Sequence, residues 1–218
     1  MTVARHFDFL PDAIKSLPRD PRGYPIPFFV AYPNGVADFR VADPAKFNRA
    51  IKEKRCWVCG GRLGRLKTFV LGPMCTITRV TAEPPCHTEC AEFACRACPF
   101  LSKALAKRSD VSDIAHHNPG GVMIERNPGV TAMWQCEDFT IFHANGVLIQ
   151  IGDPVALTFW REGRAATRDE VQESIRTGLP ALVDIAMKQG LDAINELSAT
   201  IQEYRTEILD RFMAREAV

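Results

Sequence analysis

The sequence predicts an α+β protein, built from antiparallel β-hairpins and sheet with an inserted zinc-finger-like segment and helices at its C-terminal end. Three observations lead there. Short β-prone runs separated by turn signals recur up to residue 166. Two pairs of metal-ligating residue types sit among them. The closing segment carries apolar residues spaced by threes and fours. Composition agrees: of 218 residues, 46% are hydrophobic and 24% charged, enough apolar surface to exclude a disordered chain.

The elements follow in order. Residues 1–25 are proline-rich, with one short helix expected at Asp12–Ser16. Ile26–Tyr32 and Val36–Val41 flank Pro33-Asn34-Gly35, a strong hairpin signal. Asp43 is a good N-cap and Pro44 a good first helical residue, so a helix is predicted from Pro44 to about Lys54. Lys67–Leu71 and Cys75–Thr81 read as two strands of a hairpin around Gly72-Pro73, and Thr88–Cys98 as a helix that Pro99 ends. Strands are expected at Val122–Arg126, Val130–Cys136, Phe139–His143 and Val147–Ile151, with turns at Asn127-Pro128-Gly129 and Asn145-Gly146. A short element after Asp153-Pro154 carries Phe159 and Trp160. Thr167 and Glu170 form a capping box, and Gly178-Leu179-Pro180 is read as breaking that helix. A second helix then runs to Lys188, and Gly190 ends it. The last helix aligns Leu191, Ile194, Leu197, Ile201, Tyr204, Ile208 and Phe212 on one stripe, which suits packing on the chain's own sheet or, alternatively, a protein partner or homodimer. Four regions result: an arm and hairpin (1–42), a basic finger-like region (43–110), an antiparallel β region (111–166) and a helical region (167–218), together one compact unit.

The cysteine content is unusual, with eight in the chain. Arg5, Asp8 and Pro11 interrupt the first residues, so no secretory core is seen, and no run approaches about 18 apolar residues. The expectation is a cytoplasmic chain with reduced thiols and no membrane span, in which cysteines serve metal binding better than disulfides. Cys56-x2-Cys59, 27 intervening residues and His87-x2-Cys90 supply a four-ligand set. Zinc favours such thiolate and imidazole pairs. Gly60-Gly61 lets the backbone turn about the ion, and positions i and i+3 share one face of a helix start. A closed site of this kind is structural.

Two other readings of the thiols stand beside it. An iron–sulfur cluster on Cys56, Cys59, Cys95 and Cys98 is suggested by the Cys98-Pro99 ending. The thiols can also be metal-free, small buried apolar groups, which is the leading reading for Cys75 and Cys136. Cys86 lies within reach of the set as well.

A knuckle, a hairpin and two ligands at a helix start together resemble the treble-clef zinc fingers, over this segment alone.

Charge is segregated. Residues 40–110 carry 14 basic and 6 acidic side chains, and residues 111–218 carry 9 and 16, so a net +8 stands beside a net −7. Lys46, Arg49, Lys52, Lys54, Arg55, Arg62, Arg65 and Lys67 crowd the knuckle, opposed between 46 and 67 only by Glu53. With Trp57 exposed, such a surface suits a nucleic-acid backbone, with Lys52, Lys54, Arg55, Arg62 and Arg65 as phosphate contacts. The alternatives are pairing with the acidic half and a solvated face.

Catalytic signals are weak. No phosphate-binding glycine loop and no Gly-x-Ser-x-Gly elbow occurs. His116-His117-Asn118 does not match the order and spacing of finger-like nucleases, whose histidines sit in the metal-holding hairpin and helix. The function expected is therefore a zinc-binding adaptor or binding protein that contacts nucleic acid or a protein. The alternative is a small hydrolase or nuclease using His116 and His117.

A wider resemblance rests on Cys56-Trp57-Val58-Cys59-Gly60, Gly72-Pro73-Met74-Cys75, Glu83-Pro84-Pro85, His87-x2-Cys90, Cys98-Pro99-Phe100-Leu101 and Gly163-Arg164-x-Ala166-Thr167-Arg168. Together these are similar to a family of uncharacterised proteins of bacteria, their phages and mobile elements. That resemblance implies no activity and no catalytic residue.

Overall fold

In the computed structural model, residues 10–98, 101 and 129–213 are described. The expected strand at 122–126, the Asn127-Pro128 turn residues and the His116-His117 pair lie outside them. The N-terminal part holds α1 (Asp12–Lys15), β1 (Val30–Ala31), β2 (Asp38–Ala42) and α2 (Pro44–Lys52). β1 and β2 pair antiparallel, shorter than the hairpin expected, through a turn in which Asn34 and Gly35 both take positive φ. The Asp43 carboxylate accepts from the Ala45 and Lys46 amides, so the cap read from sequence starts α2.

Among the described residues seven strands follow, in two sheets. β3 (Lys67–Leu71), β5 (Thr131–Cys136), β8 (Ala156–Arg161) and β9 (Arg164–Ala165) form one, in the order β3-β5-β8-β9. β4 (Val80–Thr81), β7 (Val147–Ile151) and β6 (Phe139–His143) form the other, in the order β4-β7-β6. All pairs are antiparallel, with Phe69 opposite Trp134 and Trp134 opposite Leu157. Three α-helical segments close the chain: α5 (Arg168–Gln189), α6 (Leu191–Glu203) and, after a π-helical stretch over Tyr204–Leu209, α7 (Asp210–Met213). The fold class is α+β with antiparallel sheets, as the sequence predicts.

Two apolar clusters share the first sheet, one on each face. Phe69, Leu71, Trp134, Leu157 and Phe159 join Ile149, Ile151, Tyr204, Ile208 and Phe212 in the larger core. Met133, with the partly buried Val70 and Trp160, turns the other way into a second core with Phe47, Trp57, Cys86, Cys90 and Ala91. The alternation of side chains along a strand thus lets one sheet serve both. α4 (Thr88–Ala97) covers the second face. Its Thr88 hydroxyl lies 2.9 Å from that of Thr68 and accepts from Gln135, and Arg96 stacks over Trp160.

Three expectations are corrected. Cys75–Thr81 is not one strand: Pro73–Thr78 forms the helix α3, with Pro73 at its first position and Arg79 left-handed at its end. β3 therefore pairs with β5, and β4 with β7, so β3 and β4 are not partners of each other; between the two ligand pairs an isolated antiparallel bridge joins Thr68 to Cys86. α5 also runs through Gly178-Leu179-Pro180 without a break. Arg176 and Pro180 are both exposed, which leaves the carbonyl freed by the missing proline N–H on the water side. Finally, the apolar stripe of the last helix divides. Tyr204, Ile208 and Phe212 are buried in the larger core, whereas Leu191 and Ile194 are exposed. The Thr167–Glu170 capping box and the stop at Gly190 are as expected.

Candidate metal centre

Cys56, Cys59, His87 and Cys90 converge: one ligand atom from each lies within 4.8 Å of all the others, a group that can hold a metal ion. The first pair sits in a knuckle closed by two backbone bonds, Gly60 N–H to the Cys56 carbonyl at 2.9 Å and Cys56 N–H to the Gly61 carbonyl at 2.7 Å. Gly60 has φ +74, and a Cβ there would meet the Phe28 ring at 2.7 Å, so a side chain is excluded on both counts. The second pair spans the start of α4, with His87 as N-cap and Cys90 one turn on. The knuckle is held to that turn by the Trp57 N–H, which donates to the Pro85 carbonyl.

The spacing suits tetrahedral coordination. Bonds of about 2.3 Å to sulfur and about 2.0 Å to nitrogen put S···N edges near 3.5 Å. Cys59 Sγ and Cys90 Sγ lie 3.3 and 3.9 Å from His87 Nδ1. His87 Nε2 lies 2.9 Å from the Arg62 carbonyl, so Nε2 carries the proton and Nδ1 keeps its lone pair for a metal. Cys56 Sγ accepts from the Cys59 and His87 amides, each at 3.4 Å, and Cys59 Sγ accepts from Gly61 at 3.4 Å. These are the bonds that thiolates require when they are taken out of water.

Electrostatics point the same way. Hydrogen bonds from the thiols of Cys59, Cys86 and Cys90 hold Cys56 well below the usual thiol range. The same bonds to Cys56, together with burial, push Cys59, Cys86 and Cys90 up. The thiols thus share protons, with Cys56 the one most disposed to be a thiolate. A divalent ion among the ligand atoms would replace those protons and stabilise more than one thiolate.

All four metal ligands read from the sequence are thus brought together. Cys95 and Cys98 are not part of the group: Cys95 is buried in the second core, where burial pushes its thiol up to about 12, and Cys98 caps α4. The backbone bridge of Cys86 to Thr68, directly before His87, was not legible in the spacing. The Arg62 carbonyl was also missed, because a backbone acceptor leaves no mark on residue type.

The expected polyanion contacts divide. Lys52, Lys54 and Arg62 are exposed and make no ion pair among the described residues. Arg55 pairs with Glu53 and donates to the Gly60 carbonyl, and Arg65 pairs with Glu137. Lys67 donates to the carbonyls of Arg65 and Glu137. Part of the basic segment is thus matched within the chain. Trp57 is not exposed as expected. It is buried, stacked on Phe29 at 5.3 Å and edge-on to Phe47 at 5.8 Å, where it packs the second core instead of meeting a base.

No helix among the described residues is long and apolar enough to cross a membrane. No family model, curated protein or solved structure matches the chain.

Proposed function

We propose that this chain is a cytoplasmic zinc-stabilised binding protein whose metal-organised knuckle presents Lys52, Lys54 and Arg62 to the phosphates of a nucleic acid. One observation supports the zinc reading: three sulfurs and a nitrogen gather within 4.8 Å of one another, the number and kind of donors a four-coordinate zinc takes, with the imidazole tautomer set by the Arg62 carbonyl. Thiolate and imidazole ligands in that number suit zinc over harder cations. A closed site leaves no position for substrate, so the ion is structural, and the residues around it act by holding shape.

Arg62 links the two halves of the proposal. Its carbonyl orients the ligand His87 while its own side chain faces solvent, so metal loading and display of the basic edge are coupled. Arg55 and Arg65, tied to Glu53 and Glu137, brace the loop. Protein isolated without added metal should carry about one zinc per chain and no colour; bound iron, or absence of metal, would overturn the zinc reading. Binding of a labelled duplex or single strand, followed by fluorescence anisotropy, should weaken steeply with salt and weaken again on chelation. Undiminished binding after zinc removal would break the coupling, and no binding at low salt would remove the nucleic-acid half while leaving the metal half intact.

A further inference from the structure

We propose that the free end of the α5–α6 helical hairpin is the docking face for a second copy of this chain. Near their junctions with the body the helices are well covered: Val171, Ser174, Ile175 and Gly178 of α5 are buried, as are Tyr204 and Ile208 beyond α6. Towards Gly190 the cover thins to Ala186 alone, and α6 has no buried residue. Four apolar side chains stand open there. Val183 is 39% exposed, Met187 62%, Leu191 75% and Ile194 38%. Val183 and Met187 lie one turn apart on α5, and Leu191 and Ile194 continue across the bend at Gly190. Scattered exposed hydrophobics are ordinary, but four of them at helical spacing within twelve residues of one helical hairpin suit an interaction face.

The rim of the face says what fits it. Asp184, Lys188 and Asp192 follow one another at four-residue spacing with alternating sign, and none makes an ion pair among the described residues. Such a row suits neither an anionic membrane nor a phosphate backbone. It is complementary to its own reverse: in an antiparallel contact offset by one turn, Lys188 of each copy faces Asp184 of the other. That reciprocity is the property of an isologous two-fold interface, which closes at two copies. The apolar face supplies the affinity and the charge row the register. This proposal is independent of the metal centre.

The test is sedimentation analysis of the full zinc-loaded chain across the micromolar range, at low and high salt. A monomer–dimer equilibrium is expected that persists at high salt. Met187→Glu or Leu191→Glu should raise the dimer Kd by about 30-fold or more, the scale of a central interface anchor. Both side chains are largely exposed, so the circular dichroism of the variants should match the parent. Lys188→Asp alone should weaken the dimer, and combining it with Asp184→Lys should restore it. A parent chain that stays monomeric at about 100 μM, far above the affinity of a standard-sized interface, would overturn the proposal. So would assembly that grows past the dimer and dissolves in salt, which would mark basic-to-acidic contact between copies. Variants that dimerise like the parent would overturn it equally.

Discussion

Chelation of the metal should unfold one part of this protein and leave the other standing. From residue 54 to 63 the knuckle has no helix or strand, only the bridge between Arg55 and Arg62. Ordering these ten residues costs about 10–20 kcal/mol in backbone entropy at roughly 1–2 kcal/mol each. A structural zinc supplies about 10–16 kcal/mol, the same order, so without it mainly the packing of Trp57 and Val58 remains to offset that cost. The larger core is differently placed: Trp134, Phe159, Ile149 and Tyr204 are buried there without any contribution from the ligands. Hydrogen exchange read by mass spectrometry, with and without a strong chelator, separates the two. Amides of the knuckle and of the first turn of α4 should lose protection by at least about a thousandfold, since about 4 kcal/mol corresponds to that factor. Amides of β5, β7 and β8 should keep most of theirs. Unchanged knuckle protection would refute the claim that the ion orders the loop. Equal loss across β5 and β7 would refute the separation of the two cores.

Single-site changes follow from the same geometry. Serine at Cys59 or Cys90 should reduce bound zinc to a small fraction of one per chain, whereas serine at Cys95 or Cys98 should leave it whole; metal analysis distinguishes the four variants. Replacing Lys52, Lys54 and Arg62 together by glutamine should lower the magnitude of the salt slope of nucleic-acid binding by about 2.7, from three lost phosphate contacts. Thr167→Ala should cost about 1 kcal/mol by urea unfolding, because it removes the cap over α5. Hydrogen bonding from Arg164 holds the Glu170 carboxyl at about 2. A carboxyl lowered on folding stabilises at pH above its unfolded value, near 4.3, and that contribution fades as pH falls from about 4.3 to 2. Glu170→Gln should therefore flatten the acid limb of the stability profile in that window.

What could be read in the sequence was what closes within a few residues. The Asp43-Pro44 start of α2, the Thr167–Glu170 box and the Asn145-Gly146 turn each satisfy their own backbone locally, and each is present. The ligand pairs were legible for the same reason, since each is a local device. What failed was pairing across distance. Lys67–Leu71 was given its neighbour in sequence as a partner, but its partner is 131–136, and the segment between coils into α3 because Pro73 favours a helix start over the β-branched preference of Thr76, Ile77 and Thr78. Pro180 misled in the opposite sense: a proline whose freed carbonyl faces water need not end a helix. Charge counts located a basic region without showing that Arg65 is tied to Glu137.

One signal in β3 did bear on the site. Lys67-Thr68-Phe69-Val70-Leu71 lacks the strict alternation of a strand with one wet face, as a strand covered on both sides should. Thr68 is fully buried: its amide donates to the Cys86 carbonyl, and its own carbonyl accepts from the Cys86 amide. Cys86 precedes His87 in the chain and shares the second core with Cys56 and Cys90. The strand that joins the larger core through Phe69 and Leu71 is thus bonded directly behind the metal ligands. A polar side chain at a buried strand position, bonded through its backbone to the cysteine before His87, fits a seam between two packing units, and it is this seam that places the candidate ligands on the back of the sheet.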